Sequence, residues 1–373
     1  MSTDNPSSVS IQTSADPIAS VPAWFGEVAL LAHTLTRLGL LAEISERVRF
    51  ARKRFGTFEV IDFVVVLMGY AISGEPTLKA YYERLQPFAT PFMALFGRKQ
   101  LPHRSTLSRF LAALDQASVE ALRSVFLQDA LARLGPEADV GGLWDRQGNR
   151  WIVFDLDGTR QAARQRALPQ GPDLPPPQRR LSAVCTPGYM GRKRGEVVRT
   201  RTTLLQAHTH QWLFTFGGAG NGDYRGELLR GLSVIVAYQT RLRLLPSQAL
   251  VRLDGLYGNG AIIVDLMAAG VCFVMRGKDY ALLDLTQVKE RLALPADEQF
   301  THPESGTCRD LFDCGEVPVT AEGHRSRLIV STHQATSSPI GVTRDQRVYE
   351  LFFTALPAQA AAPARPAICR PEQ

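Results

Sequence analysis

No apolar run in this 373-residue chain reaches the roughly 18 residues that a membrane span requires. The longest, VIDFVVVLMGYAIS at 60–73, suits a buried helix. The N-terminal stretch MSTDNPSSVSIQTSADP lacks the basic and apolar blocks of a secretory signal, so a cytoplasmic protein without membrane attachment is expected. Cysteine is scarce too. The five, at 185, 272, 308, 314 and 369, are odd in number and irregular in spacing, which argues against a disulfide framework. Cys308 and Cys314, even taken with His302 or His324, lack the close cysteine pairs of structural zinc sites. A Walker-type phosphate loop is also missing, because GGAGNG at 217–222 has no Lys-Ser/Thr after it.

What is present is an ordinary globular composition, 45% hydrophobic, with length for two or three domains. The net charge of +6 is unevenly placed. Between Arg160 and Arg201 stand ten arginines and lysines, Arg192, Lys193, Arg194, Arg199 and Arg201 among them, against two acids, Asp173 and Glu196. A block this basic fits a polyanion-binding surface, or on the plainer reading a solvated loop.

The chain organises into successive parts. Residues 1–21 are polar and without periodicity, which predicts a disordered tail. Residues 22–135 read as a helical domain: Val28, Leu31, Leu35, Leu38 and Leu41 recur at helical steps, and further helices are expected near 58–72, 77–85, 105–114 and 117–134. SGEP, QPFATP and RKQLPHR separate them. In LPHRSTLSRFLAALD, Leu107, Phe110, Leu111 and Leu114 would face inward and leave Arg104, Ser105, Thr106 and Arg109 at the exposed N-terminal end. A recognition helix presents hydroxyls and guanidinium groups to DNA in this way. Any capped amphipathic helix shares the pattern.

Residues 150–278 read as β-β-β-α-β-α-β, starting from WIVFDLD and passing through VVRTRTTLLQAHT, QWLFTFGG, ALVRLD and VCFVMRG. That is the order of a ribonuclease H-like mixed sheet, an α/β fold in which the first and fourth strands lie side by side. Asp157 and Asp254 occupy the ends of those two strands. Carboxylates converging from neighbouring strands suit divalent metal ions, Mg²⁺ or Mn²⁺, and phosphodiester chemistry. WIVFDLDGTR also matches the Asp-x-Asp-Gly-Thr opening of haloacid-dehalogenase-like phosphatases, which is the alternative. That reading needs Asp155 as nucleophile, a later lysine and a second acid after the fourth strand. Only Lys193 stands between 160 and 253, and RLDGLYGNG brings Asn259 where the acid is needed. His208 and His210 are placed on one face of a strand, at metal-ligand reach, with low weight. Residues 279–356 read as β-rich, with LFDCGEVPVT, RSRLIVSTHQ and VYELFFTAL.

The stretches FDLDGTRQAARQRAL, PGYMGRKRGEVVRTRTTLLQ, FGGAGNGDYRGELL and VRLDGLYGNGAIIVDLMAAGVCFVMRGKDY resemble the DDE transposases of bacterial insertion sequences, the cut-and-paste type. The resemblance spans about 150–280, with a looser match in the helical DNA-binding domain before it. It implies Asp157 and Asp254 as catalytic, metal-holding carboxylates, Arg276 and Lys278 beside the DNA, Asp155 as a nearby acid, and 279–356 as an insertion. It also implies double-stranded DNA as partner, both transposon ends and target, and at least a homodimer in the synaptic complex. The family's third carboxylate, a Glu on a helix with Tyr and Arg, would follow RVYELFFTALP. The stretch 357–373 reads instead AQAAAPARPAICRPEQ after Pro357, with Glu372 in an Ala/Pro setting and Glu350 on the preceding strand. This change of composition predicts a frameshift or truncation near 357, with the third carboxylate lacking here or encoded in another frame. On that expectation the chain alone binds DNA and cuts little, and the rival to a transposase is a non-catalytic DNA-binding remnant.

Overall fold

The computed structural model describes residues 20–49, 57–114, 116–164, 171–173, 186–188, 196–218, 224–303, 306–335 and 341–360. Arg192, Lys193 and Arg194, the tail up to 19 and the segment from 361, with Glu372, lie outside the described residues. The chain divides into two compact units, Met1–Asp129 and Ala130–Gln373.

The first unit is helical. The single stripe expected at its start is two helices, α1 (Phe25–Arg37) and α2 (Leu40–Arg47), because Gly39 at φ +73° breaks the run. A residue without Cβ enters that left-handed region at no steric cost. The stripe survives the break: Val28, Ala32, Leu35, Leu40 and Ile44 are all buried. Helix α3 (Val60–Ser73) is buried from Ile61 to Val66, and its first turn is tied by Arg98, which donates to Asp62 at 2.6 Å. Among the described residues no single helix is long and apolar enough to cross a membrane.

Helices α4 (Leu78–Leu85), α5 (Ala89–Leu95), α6 (Arg104–Ala113) and α7 (Gln116–Arg133) follow. Helix α5 begins inside QPFATP (86–91), which was expected to separate helices; its Pro91 sits in the first helical turn, where a missing N–H breaks no bond. On α6, Phe110 stacks on Phe63 of α3 at a ring separation of 4.2 Å, and Leu107 is fully buried. Leu111, expected inward, is 36% exposed. The buried stripe of this helix is narrow, so the residue beside Phe110 falls on its flank.

Among the described residues, the second unit is built on one twelve-stranded sheet. Its strands are β1 (Leu143–Trp144), β2 (Arg150–Arg164), β3 (Thr186–Gly188), β4 (Glu196–Gln206), β5 (Gln211–Gly218), β6 (Ala249–Leu253), β7 (Cys272–Arg276), β8 (Glu298–Thr301), β9 (Cys308–Pro318), β10 (Arg325–Gln334), β11 (Val342–Arg344) and β12 (Arg347–Thr354). The central order is β4, β2, β6, β7, with β5 also paired to β4. Strands β4 and β5 are antiparallel to their neighbours, whereas β2, β6 and β7 run parallel. With helix α8 (Tyr224–Arg241) between β5 and β6, and α9 (Gly260–Ala268) between β6 and β7, this is the ribonuclease H-like arrangement expected from the sequence. The β-rich segment is continuous with it: β12 pairs antiparallel with β7, and β10, β9 and β8 extend the same sheet.

Helix α8 covers one face. Tyr238 packs edge-on to Phe154, and Gly231 approaches so closely that a Cβ there would lie 2.6 Å from Leu156 Cδ1. Side chains alternate along a strand, so Phe154 and Leu156 face α8 while Val153, Asp155 and Asp157 share the other side.

Candidate active site

Register fixes what meets on that second face. Val153 lies opposite Leu250 and Asp155 opposite Arg252 across the parallel β2–β6 pair. One further step along the same face brings Asp157 and Asp254 side by side, at and just beyond the C-terminal end of β6. Three rows climb the face: an apolar row, an ion-pair row and a carboxylate row. The first is Val153 and Leu250, which share a small core with Val274 and Leu356. In the second, Arg252 donates from Nε and Nη2 to the two oxygens of Asp155 at 2.5 and 2.6 Å.

Asp254 opens a tight turn, Gly255–Tyr257, and accepts a bond from the Leu256 amide at 2.8 Å. Burial first, and then the nearby Asp157 carboxylate, push the Asp254 carboxyl above its ordinary value; the Leu256 bond, Lys278 and Arg276 act the other way. Asp157 is exposed and takes a bond from Thr159 Oγ1 at 3.3 Å. Gly255 is flanked by Lys278 and Arg276, whose side chains would stand 3.6 and 3.7 Å from a Cβ there. Both cations therefore stand beside the turn that Asp254 opens. Arg199 and Arg201 of β4 are exposed and lie opposite Gln161 and Thr159, on the same face as Asp157. Two carboxylates ringed by arginine and lysine suit a phosphodiester backbone.

The donor set fits a hard divalent cation. Mg²⁺ is held by one or two protein carboxylates and fills its remaining positions with water and phosphate oxygens, and a self-repelling anionic pair is relieved by such an ion. Among the described residues no group of three or more His, Cys, Asp or Glu side chains is arranged to hold a metal ion. The described site thus offers two protein ligands. Glu350, on β12, is fully buried and paired with Arg309, which removes it as a third. His208 and His210 lie in the turn after β4, not along a strand, because β4 ends at Gln206.

The phosphatase alternative meets two obstacles. Its nucleophile would be Asp155, both of whose oxygens are occupied by Arg252. The strands that follow the motif are antiparallel, where that reading calls for parallel ones.

In the first unit, Arg104, Ser105 and Arg109 are exposed and Thr106 is half-buried at the start of α6. His103 caps this end by accepting from the Ser105 amide at 3.2 Å, and Arg109 folds back to donate to the Ser105 carbonyl at 3.3 Å.

No protein-family model matches the chain, and no curated protein matches it. Among solved structures, the fold is similar to that of a piggyBac transposase in a synaptic complex with hairpin DNA, determined by cryo-EM. The identity is 11% and the TM-score 0.38; the similarity covers 87% of this chain and 60% of that one.

Sequence reasoning missed the groups beneath the site. Arg252 stands two residues before Asp254, as Asp155 stands two before Asp157, and those matched spacings become a pair once the strands are parallel and in register. On the α8 side, Glu227 is 3% exposed and accepts bonds from the Thr200 and Thr202 hydroxyls. Tyr257 is buried next to Gly158, the residue after Asp157: a Cβ on Gly158 would lie 2.8 Å from its Oη. The aromatic ring thereby ties the turn after Asp254 to the strand of Asp157. Burial drives the Tyr257 hydroxyl far above its ordinary pKa, so it stays protonated.

Proposed function

We propose that this chain is a DNA transposase of the ribonuclease H-like, DDE type, which binds the terminal repeats of its element and cuts phosphodiester bonds there. The observation that carries this reading is the Asp157–Asp254 row on adjacent parallel strands, at the point where β6 ends and β2 runs on, with Arg276 and Lys278 beside it and Arg201 and Arg199 farther along the same face. Asp157 and Asp254 would hold Mg²⁺ or Mn²⁺. The bound ion would lower the cost of generating the attacking oxygen and of charge on the leaving oxygen. Arg276 and Lys278 neutralise and orient the phosphate, while Arg199 and Arg201 track the backbone beside it. Double-stranded DNA is the partner, and pairing two ends calls for at least a dimer. The start of α6, with Arg104, Ser105, Thr106 and Arg109, reads the ends, and Arg192, Lys193 and Arg194 add backbone contacts. With two carboxylates in the described site, end binding exceeds cleavage.

The test is a strand-cleavage and gel-shift assay on DNA carrying the element's ends, with and without Mg²⁺ or Mn²⁺. Asp157→Asn and Asp254→Asn should bind ends as the parent does and lose whatever metal-dependent cleavage the parent has. A variant that cleaves like the parent, or a parent that binds no DNA, contradicts the proposal.

A further inference from the structure

Past the carboxylate row the sheet face continues. Strand β2 runs on beyond the end of β6 and stays paired with β4, so Asp157 opposite Thr203 is followed by Thr159 opposite Arg201 and by Gln161 opposite Arg199. Asp157, Thr159, Arg199 and Arg201 are exposed on this face. The opposite face is held fast: Val198, Thr200 and Thr202 are buried, and both threonine hydroxyls donate to Glu227 of α8. The two arginines differ in their surroundings. Arg199 donates from Nη2 to Gln161 Oε1 at 3.1 Å, across the strand pair. Among the described residues Arg201 has no side-chain brace of this kind. A mobile cation meets a phosphate oxygen from many directions, whereas a base edge needs a guanidinium aimed in one plane. The Gln161 amide is neutral, so it aims Arg199 without cancelling its charge.

We infer that Arg199, held by Gln161, is a specificity-determining residue that reads a guanine in the major groove of the bound DNA. The inference deepens the proposed function and rests on its assignment of double-stranded DNA to this face; Arg201 keeps to the backbone, and Arg199 reaches a base. Guanine is the fitting base because Gln161 spends its oxygen on Arg199, so the pair shows only donors outward. The guanine edge offers two acceptors, N7 and O6, and no donor, whereas adenine and cytosine each present an amino group there. A major groove wide enough for a β-ribbon admits such a face. Spacing sets which base is met. The strand rises about 3.3 Å per residue and one DNA strand about 3.4 Å per nucleotide, so a duplex that follows β2 from a phosphate at Asp157 brings a base pair about four steps away to Gln161 and Arg199.

Selection from a pool of random-sequence duplexes by the full-length chain, without divalent cations, followed by competition gel shifts, tests this without turnover. Replacing the guanines of the selected duplex one at a time should reveal one that is worth about tenfold in affinity to the parent. The same replacement should cost Arg199→Ala nothing, and Gln161→Ala, with the guanidinium loosened, should keep only about threefold. Lys278→Ala should instead weaken binding to all duplexes alike and flatten its salt dependence. The inference is overturned if no guanine matters to the parent and not to Arg199→Ala, or if Gln161→Ala discriminates as fully as the parent. If Arg199→Ala does not fold, Gln161→Ala decides: reduced discrimination at one guanine supports the inference, and full discrimination refutes it. None of these outcomes touches the metal reading of the carboxylate row, which fails separately if Asp157→Asn binds Mn²⁺ as the parent does. A parent that shifts no duplex overturns the proposed function and this inference together.

Discussion

Removing Glu227 isolates the polar support beneath the site. Its two oxygens accept from Thr200 and Thr202, whose residues are 2% and 0% exposed. Glu227→Ala leaves two buried hydroxyls without their acceptor, at about 1–3 kcal/mol each. Relief of the carboxylate's own desolvation offsets part of that, so the net loss is about 2–4 kcal/mol. Glu227→Gln keeps the volume and one acceptor oxygen, and a threonine hydroxyl that rotates to accept from the new amide limits the loss to about 1 kcal/mol. Equilibrium urea unfolding read by tryptophan fluorescence measures both, because Trp144, Trp151 and Trp212 all lie in the second unit. Thr202 lies opposite Gly158 in the sheet, next to Asp157, so the loosening should also reach Mn²⁺ binding. An alanine variant as stable as the parent, or a glutamine variant as damaged as the alanine one, refutes the reasoning.

Three further outcomes are expected. The Asp254 carboxyl is raised in the folded chain, so its stabilising contribution is full below the ordinary value of 3.8 and is lost as the pH rises through the raised value; Asp254→Asn should therefore gain melting temperature relative to the parent across that rise, and a constant difference would refute the assignment. Gly158→Ala places a methyl 2.8 Å from Tyr257 Oη and 2.9 Å from Tyr224 Cδ1, and should cost about 1–3 kcal/mol in the same unfolding assay. Site-resolved alkylation at neutral pH should modify the exposed Cys308 and spare Cys314, whose thiol burial pushes up to about 12; equal labelling of the two would contradict the burial.

The second unit was legible because its strands alternate cleanly and its turns carry glycine. WIVFDLD, QWLFTFGG and ALVRLD each form strands, and the parallel pairing of the first and fourth follows from their order. Asp157 and Asp254 were placed on neighbouring strands for that reason. What local patterns could not carry was the contact made across the sheet. Arg252 reads as an ordinary polar residue until register places it opposite Asp155. Glu227 looks like a helix-surface acid until α8 lies on β4 and its threonines. The union of the β-rich segment with the central sheet depends on β12 meeting β7, residues nearly eighty apart in the chain, and no local signal encodes that. In the first unit the loss was of the opposite kind. Gly39 ends a helix whose apolar stripe runs on unbroken, so periodicity read across the break.

On the proposed function, Asp157 and Asp254 together form a divalent-cation site. Crystals of the full chain soaked in Mn²⁺ and measured at the manganese absorption edge test it directly. An anomalous peak within coordinating distance of both carboxylates, with Arg252 still on Asp155, is the predicted result. Manganese bound elsewhere only, or Arg276 and Lys278 closed onto the two carboxylates in its presence, would contradict it.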